Sequence, residues 1–154
     1  MPTIEDKLHE RGLAFRRERP QRRFVDAKQA GDLVYLSGHG PEDEHGHLPW
    51  VGKVGREVTI EEGYQAARRV AVNCLGSLKV HLGELERIDE VIKVLGFVNS
   101  APDFHRQPEV MHGFTDLLLE VLGERGRHAR SAIGTNTLPN DQPVEVEMIV
   151  KVRV

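Results

Sequence analysis

Cysteine is nearly missing from this chain: Cys74 stands alone among 154 residues. An intrachain disulfide is therefore impossible, and a cysteine-only zinc site is excluded. No apolar run approaches the ~20 residues of a membrane-spanning helix. The opening stretch, Met1 to Glu10, is polar and carries acids early, unlike a secretory or organellar targeting peptide. The expected compartment is the cytoplasm, with no membrane association. A basic surplus is also lacking, since the formal net charge is −3. A general nucleic-acid binder usually has that surplus, so nucleic acid is not an expected partner. There is no P-loop, GxGxxG, GxSxG, HExxH or CxxC.

The length fits one domain, which can bury about two thirds of its unfolded surface without covalent staples. Residues 1–23 read as an N-terminal arm and residues 24–154 as the domain. The arm crowds Arg11, Arg16, Arg17, Arg19, Arg22 and Arg23 together, diluted by Glu10 and Glu18. It reads either as a phosphate- or RNA-binding segment or as a solvated helix face and linker. A short helix over 3–15 is expected, with Thr3 as N-cap, and Pro20 stops its continuation.

Strands are expected at Phe24–Ala27 and Leu33–Ser37. A glycine-rich loop over 38–58 follows, part of which, near Val51–Val58, is read as an edge strand. Thr59 and Glu62 form a capping box ahead of a helix carrying Ile60, Tyr64, Ala67, Ala71, Leu75, Leu78 and Leu82, closed by Gly83. Ile88–Val98 is apolar at both parities and reads as a strand covered on both faces. Asp103 is expected to cap a second helix with a Met111, Phe114, Leu118, Val121 stripe. Strands at His128–Gly134 and Val144–Val154 complete an α+β pattern: one sheet with two helices on one face. The second sheet face then needs a partner, and self-association is the simplest supply.

Within the strand starting near His128, alternation puts His128, Arg130 and Ala132 on one face. An arginine among small residues leaves room for a ligand carboxylate, which its planar fork binds through two hydrogen bonds. The competing role is a structural ion pair with Glu145 or Glu147. If the last two strands are neighbours, Glu145 stands close to Arg130, where a carboxylate orients water or moves a proton. The Glu42–His47 run matches no closed metal site and reads as a solvated loop. His105 and His112 lie too far apart to share a metal, and Cys74 reads as a small core residue.

Several segments in shared order resemble one family. They are Leu33–Gly38 (LVYLSG), Gly63–Arg68 (GYQAAR), Val91–Val98 (VIKVLGFV) with Asp103-Phe104, His128–Ser131 (HARS), and Leu138-Pro139 followed by Val144–Glu147 (VEVE). The chain resembles the YjgF/RidA family, reactive-intermediate deaminases also called endoribonuclease L-PSP-like, from about Phe24 to Val154. The resemblance implies a chorismate-mutase-like α+β fold, a homotrimer with ligand clefts between subunits, and hydrolysis of reactive enamines and imines without any cofactor or metal. It implies that Arg130 grips a substrate carboxylate, Glu145 positions water, Ser37 lines the pocket, and the backbone of Ala132 contacts the ligand. Phe24 stands where a tyrosine is expected, Ala132 where a cysteine is common, and His112 where an asparagine is frequent. The 39–58 loop is longer than the archetype's, as in a longer-chain branch. The expected ligand is a small carboxylate-bearing metabolite. The expected activity is hydrolysis of 2-aminoacrylate-type intermediates to 2-oxo acids and ammonia. Two alternatives are a non-catalytic metabolite-sensing trimer and an RNA-cleaving enzyme.

Overall fold

Thr59 and Glu62 exchange side-chain-to-backbone hydrogen bonds, which start α2 (Ile60–Leu82) where the capping box predicts. Gly83, with φ +83°, ends it. The computed structural model describes the whole chain, Met1 to Val154. Its other elements are α1 (Ile4–Glu10), β1 (Ala27–Ala30), β2 (Leu33–Leu36), β3 (Ile88–Asn99), α3 (Gln107–Leu122), β4 (Ala129–Thr135) and β5 (Val144–Val152). No helix is long and apolar enough to cross a membrane.

The five strands form one mixed sheet in the order β1-β2-β5-β3-β4. All neighbours are antiparallel except β3 and β4, which run parallel with α3 as their crossover. β5 is the middle strand. Its Val144, Val146, Met148, Val150 and Val152 are buried beneath α2, as strict alternation requires. Val34, Val91, Val94 and Val98 extend the same core face. The helices supply Ala67, Val70, Leu75, Leu78, Phe114 and Leu118. The two helices approach so closely that a Cβ at Gly113 would overlap the Tyr64 carbonyl oxygen. The opposite sheet face carries Tyr35, Leu95, Phe97, Ile133 and Ile149, and no element of the chain covers it.

Four expectations shift. The first strand begins at Ala27 rather than Phe24, because its ladder runs from Ala27↔Leu36 to Ala30↔Leu33, and Phe24 lies outside it. The 51–58 stretch is not a strand: only isolated bridges from Val54 to Val58 and Ser100 form. Asp103 does not cap the second helix. Arg106 stands at the cap, with no side-chain cap bond, and Pro108 occupies the first turn. The first helix stops at Glu10, since Gly12 adopts φ +70° and turns the chain.

The arm packs onto the domain. Thr3 caps α1 through a reciprocal bond with Asp6. Ile4 and Leu8 are only 3% and 2% exposed and join the main core, against which Leu13 and Phe15 also lie.

Candidate functional site

Arg130 projects from edge strand β4 on the helix-side face, opposite Val94 of β3. Its Nη1 donates to His112 Nδ1 at 3.1 Å and to Thr115 Oγ1 at 3.0 Å, both on α3. Its Nη2 reaches the Pro108 carbonyl at 3.5 Å. His128 Nδ1 lies 2.6 Å from the Gly126 carbonyl, and its Nε2 lies 3.0 Å from Thr115 Oγ1. The consistent assignment has Nδ1–H donating to Gly126 while bare Nε2 accepts the Thr115 hydroxyl proton. The Thr115 oxygen is then left to receive Arg130. Burial, with a smaller effect from the Arg130 charge, pushes His128 below its ordinary range.

No carboxylate lies within salt-bridge distance of Arg130. The structural ion pair with Glu145 or Glu147 is not formed. Three of the five guanidinium protons point at neutral acceptors, so the Nε–Nη2 edge keeps room for an incoming carboxylate. Ala132, opposite Gly96, follows on the same face.

Glu145 lies elsewhere. β3 separates β4 from β5, so the expected neighbour relation between the last two strands does not hold. Glu145 pairs with Phe97 and points to the sheet face opposite to that of Arg130, since Val144 and Val146 on either side of it are buried beneath the helices. Within one protomer the two proposed catalytic groups therefore stand on opposite faces of the sheet.

Glu145 belongs to a cleft of about 520 Å³ whose walls include Arg16, Arg22, Phe24, Glu42 and Gln142. Gln142 Nε2 donates to Glu145 Oε1 at 3.1 Å. Gly38 also lines the cleft, and a Cβ there would overlap Glu145 Oε2, the movable end of that side chain. Burial raises the Glu145 carboxyl above its usual range, and the charge of Glu147 adds to the effect. Phe24 is 57% exposed at the cleft, with the Arg22 guanidinium 5.5 Å from its ring centroid.

Ser37 sits just beyond β2, where its Oγ donates to the Val25 carbonyl at 2.8 Å. Its own carbonyl lies 2.6 Å from His39 Nδ1, and His39 Nε2 lies 2.6 Å from Ser77 Oγ. Arg19 Nη1 donates to the same Ser77 oxygen at 2.6 Å. This buried relay ties the arm, the strand end and α2 together. His39 stands below its ordinary range because it is buried. Sequence reasoning missed His39, Ser77 and Gln142, and singled out Arg16 only as one of the arm arginines. Only the glycine spacing around His39 and the arginine density of the arm signalled them.

The Glu42–His47 run folds as a turn in which Asp43 Oδ1 accepts the amides of His45 and His47, both at 2.9 Å. No group of three or more His, Cys, Asp or Glu side chains is placed to hold a metal ion. Cys74 is buried, and burial pushes its thiol far up, which suits a core residue.

Residues 27–150 match the family model described as "YjgF/chorismate_mutase-like, putative endoribonuclease". The chain belongs to this family. Protein TCP17 of Trypanosoma cruzi is 38% identical over 133 residues, covering 86% of this chain and 82% of that protein. The crystal structure of Atu1372, a protein of unknown function from Agrobacterium tumefaciens, is 40% identical. It superposes with a TM-score of 0.91 over 99% of this chain and 93% of that one. A "putative endoribonuclease" from Shewanella oneidensis is 29% identical, with a TM-score of 0.91 over 97% and 99% of the two chains. Both structural matches include the N-terminal arm, which the family model leaves out. The YjgF-type α+β fold is thus established.

Proposed function

We propose that this YjgF-family chain binds small 2-oxo and 2-imino acids and hydrolyses reactive imines to 2-oxo acids and ammonia. The observation that carries the reading is the state of Arg130: a half-buried, oriented guanidinium with no carboxylate partner. In this proposal a site forms between two protomers of a homotrimer. Arg130, with His112 and the backbone of Ala132, comes from one protomer. Glu145, Phe24 and Ser37 come from its neighbour.

Arg130 holds the carboxylate of the imine. Glu145 takes one proton from water as it adds to the imine carbon and passes it to nitrogen, giving the carbinolamine. It then moves the hydroxyl proton to nitrogen as the carbon–nitrogen bond breaks and ammonia leaves. The balance is imine plus water giving 2-oxo acid plus ammonia. A raised carboxyl at Glu145 suits this exchange, because proton transfer is most efficient when the group titrates nearer the working pH. Only modest acceleration is needed, since such imines already hydrolyse in water.

The test is ammonia release from 2-iminopropanoate generated in situ by an amino-acid oxidase. Wild type accelerates it and Arg130→Ala does not. Wild type indistinguishable from the uncatalysed rate, with pyruvate still bound, would instead make the protein a metabolite sensor.

A further inference from the structure

The six arm arginines differ in what they touch. Arg11 faces Glu120, Arg19 is fixed by Ser77 and Asp26, and Arg22 pairs with Asp26 while lying over Phe24. Arg17 and Arg23 are exposed. Arg16 alone is half-buried without any partner: its Nε is shut off from solvent and finds no hydrogen-bond acceptor. It lines the same cleft as Glu145. The backbone fixes it there, because the Arg17 amide donates to the Glu44 carbonyl at 3.0 Å and so ties the arm to the 43–47 turn. Two carboxylates, Glu42 and Glu145, share the cleft, and neither pairs with Arg16.

With the Nε end enclosed, the terminal nitrogens of Arg16, which no group of the chain engages, are the part a ligand in the cleft can reach, and a held guanidinium with free donors favours an anion. The cleft, at about 520 Å³, also falls in the range of roughly 300–1,000 Å³ typical of pockets for ligands much larger than a three-carbon acid. We infer that Arg16 is a second anion anchor that selects substrates bearing an acidic group at the end opposite the 2-imino acid function. The favoured substrate class is a four- or five-carbon 2-imino dicarboxylic acid, hydrolysed with water to the 2-oxo dicarboxylic acid and ammonia. This inference rests on the proposed carboxylate-binding role of Arg130 and adds a determinant of specificity at the other end of the ligand.

Calorimetric titration of the full chain with 2-oxoglutarate and with pyruvate tests it. Wild type is expected to bind 2-oxoglutarate at least about tenfold more tightly, the scale of one charged hydrogen bond. Arg16→Gln erases that gap and leaves pyruvate unchanged, while Arg16→Lys, which keeps the charge, preserves part of it. The inference is overturned if wild type shows no preference, or if Arg16→Gln keeps it. It is also overturned if Arg16→Gln weakens both ligands equally or changes the oligomeric mass, which would make Arg16 a subunit contact. Should Arg16→Gln not fold, loss of the preference in a folded Arg16→Lys decides against charge recognition. Imine assays separate this from the function proposed above. Intact diacid preference with no ammonia release from either 2-iminopropanoate or iminosuccinate removes the hydrolase and leaves the anchor standing.

Discussion

At the scale of single residues, Arg130 and Glu145 make different predictions for stability. Arg130 leaves no buried carboxylate behind when removed, so Arg130→Ala avoids the roughly 3–5 kcal/mol cost of breaking a buried pair. Its thermal melt should stay near that of wild type while pyruvate binding disappears in calorimetry. Glu145 carries a cost of its own. Its folded carboxyl titrates above its unfolded value because of burial, so its stabilising contribution is full below the unfolded pKa. That contribution is lost as pH rises through the folded pKa. Glu145→Gln should therefore raise the melting temperature near neutral pH and not at pH 3, while ammonia release is lost. A variant that melts lower at neutral pH would show that the charge is compensated in the folded protein. Gly38→Ala tests the same geometry from the lining of the cleft. The added methyl pushes the flexible end of Glu145 aside, so activity should fall with little change in the melt.

Among the elements, α2, α3, β3 and β5 were legible because each carries its own periodicity and its own stop signal. Thr59, Glu62 and Gly83 bound α2, and alternating valines define β5. The misreadings fall where local pattern and tertiary pairing disagree. Phe24 and Val25 look like strand residues, yet the ladder to β2 starts two residues later. Asp103 is a good cap by composition, while Pro108, which suits the first turn of a helix, marks where α3 begins. Chain order alone makes neighbours of the strands that carry Arg130 and Glu145. The parallel β3–β4 crossover defeats that inference, since it sends β4 to the sheet edge and β5 to the middle. The arm is the largest difference. Deleting residues 1–19 appears harmless if the arm is a solvated linker, but Ile4 and Leu8 are core residues. Leu8→Ala should cost about 2–5 kcal/mol, read by denaturant unfolding, and the full deletion should cost more and remove Arg16 from the cleft.

For the whole molecule, the sheet face bearing Tyr35, Leu95, Phe97, Ile133 and Ile149, interspersed with Glu145, Glu147 and Lys93, is uncovered by the chain itself. A closed ring of identical subunits buries such a face without leaving an open end. Light scattering should give three times the 17.3 kDa chain mass, and a monomer at micromolar concentration would refute the assembly. The placement of Arg130 and Glu145 on opposite sheet faces carries a further consequence, of a genetic kind. If every site borrows its arginine from one subunit and its acid from the next, two dead alleles can rescue each other. Arg130→Ala and Glu145→Gln proteins, each inactive alone, should regain activity when unfolded together and refolded as a mixture. Random assortment restores roughly a quarter of the sites in equimolar hybrids. The same count leaves either allele recessive beside wild type, because a mutant subunit disables only the one site to which it brings its lost residue.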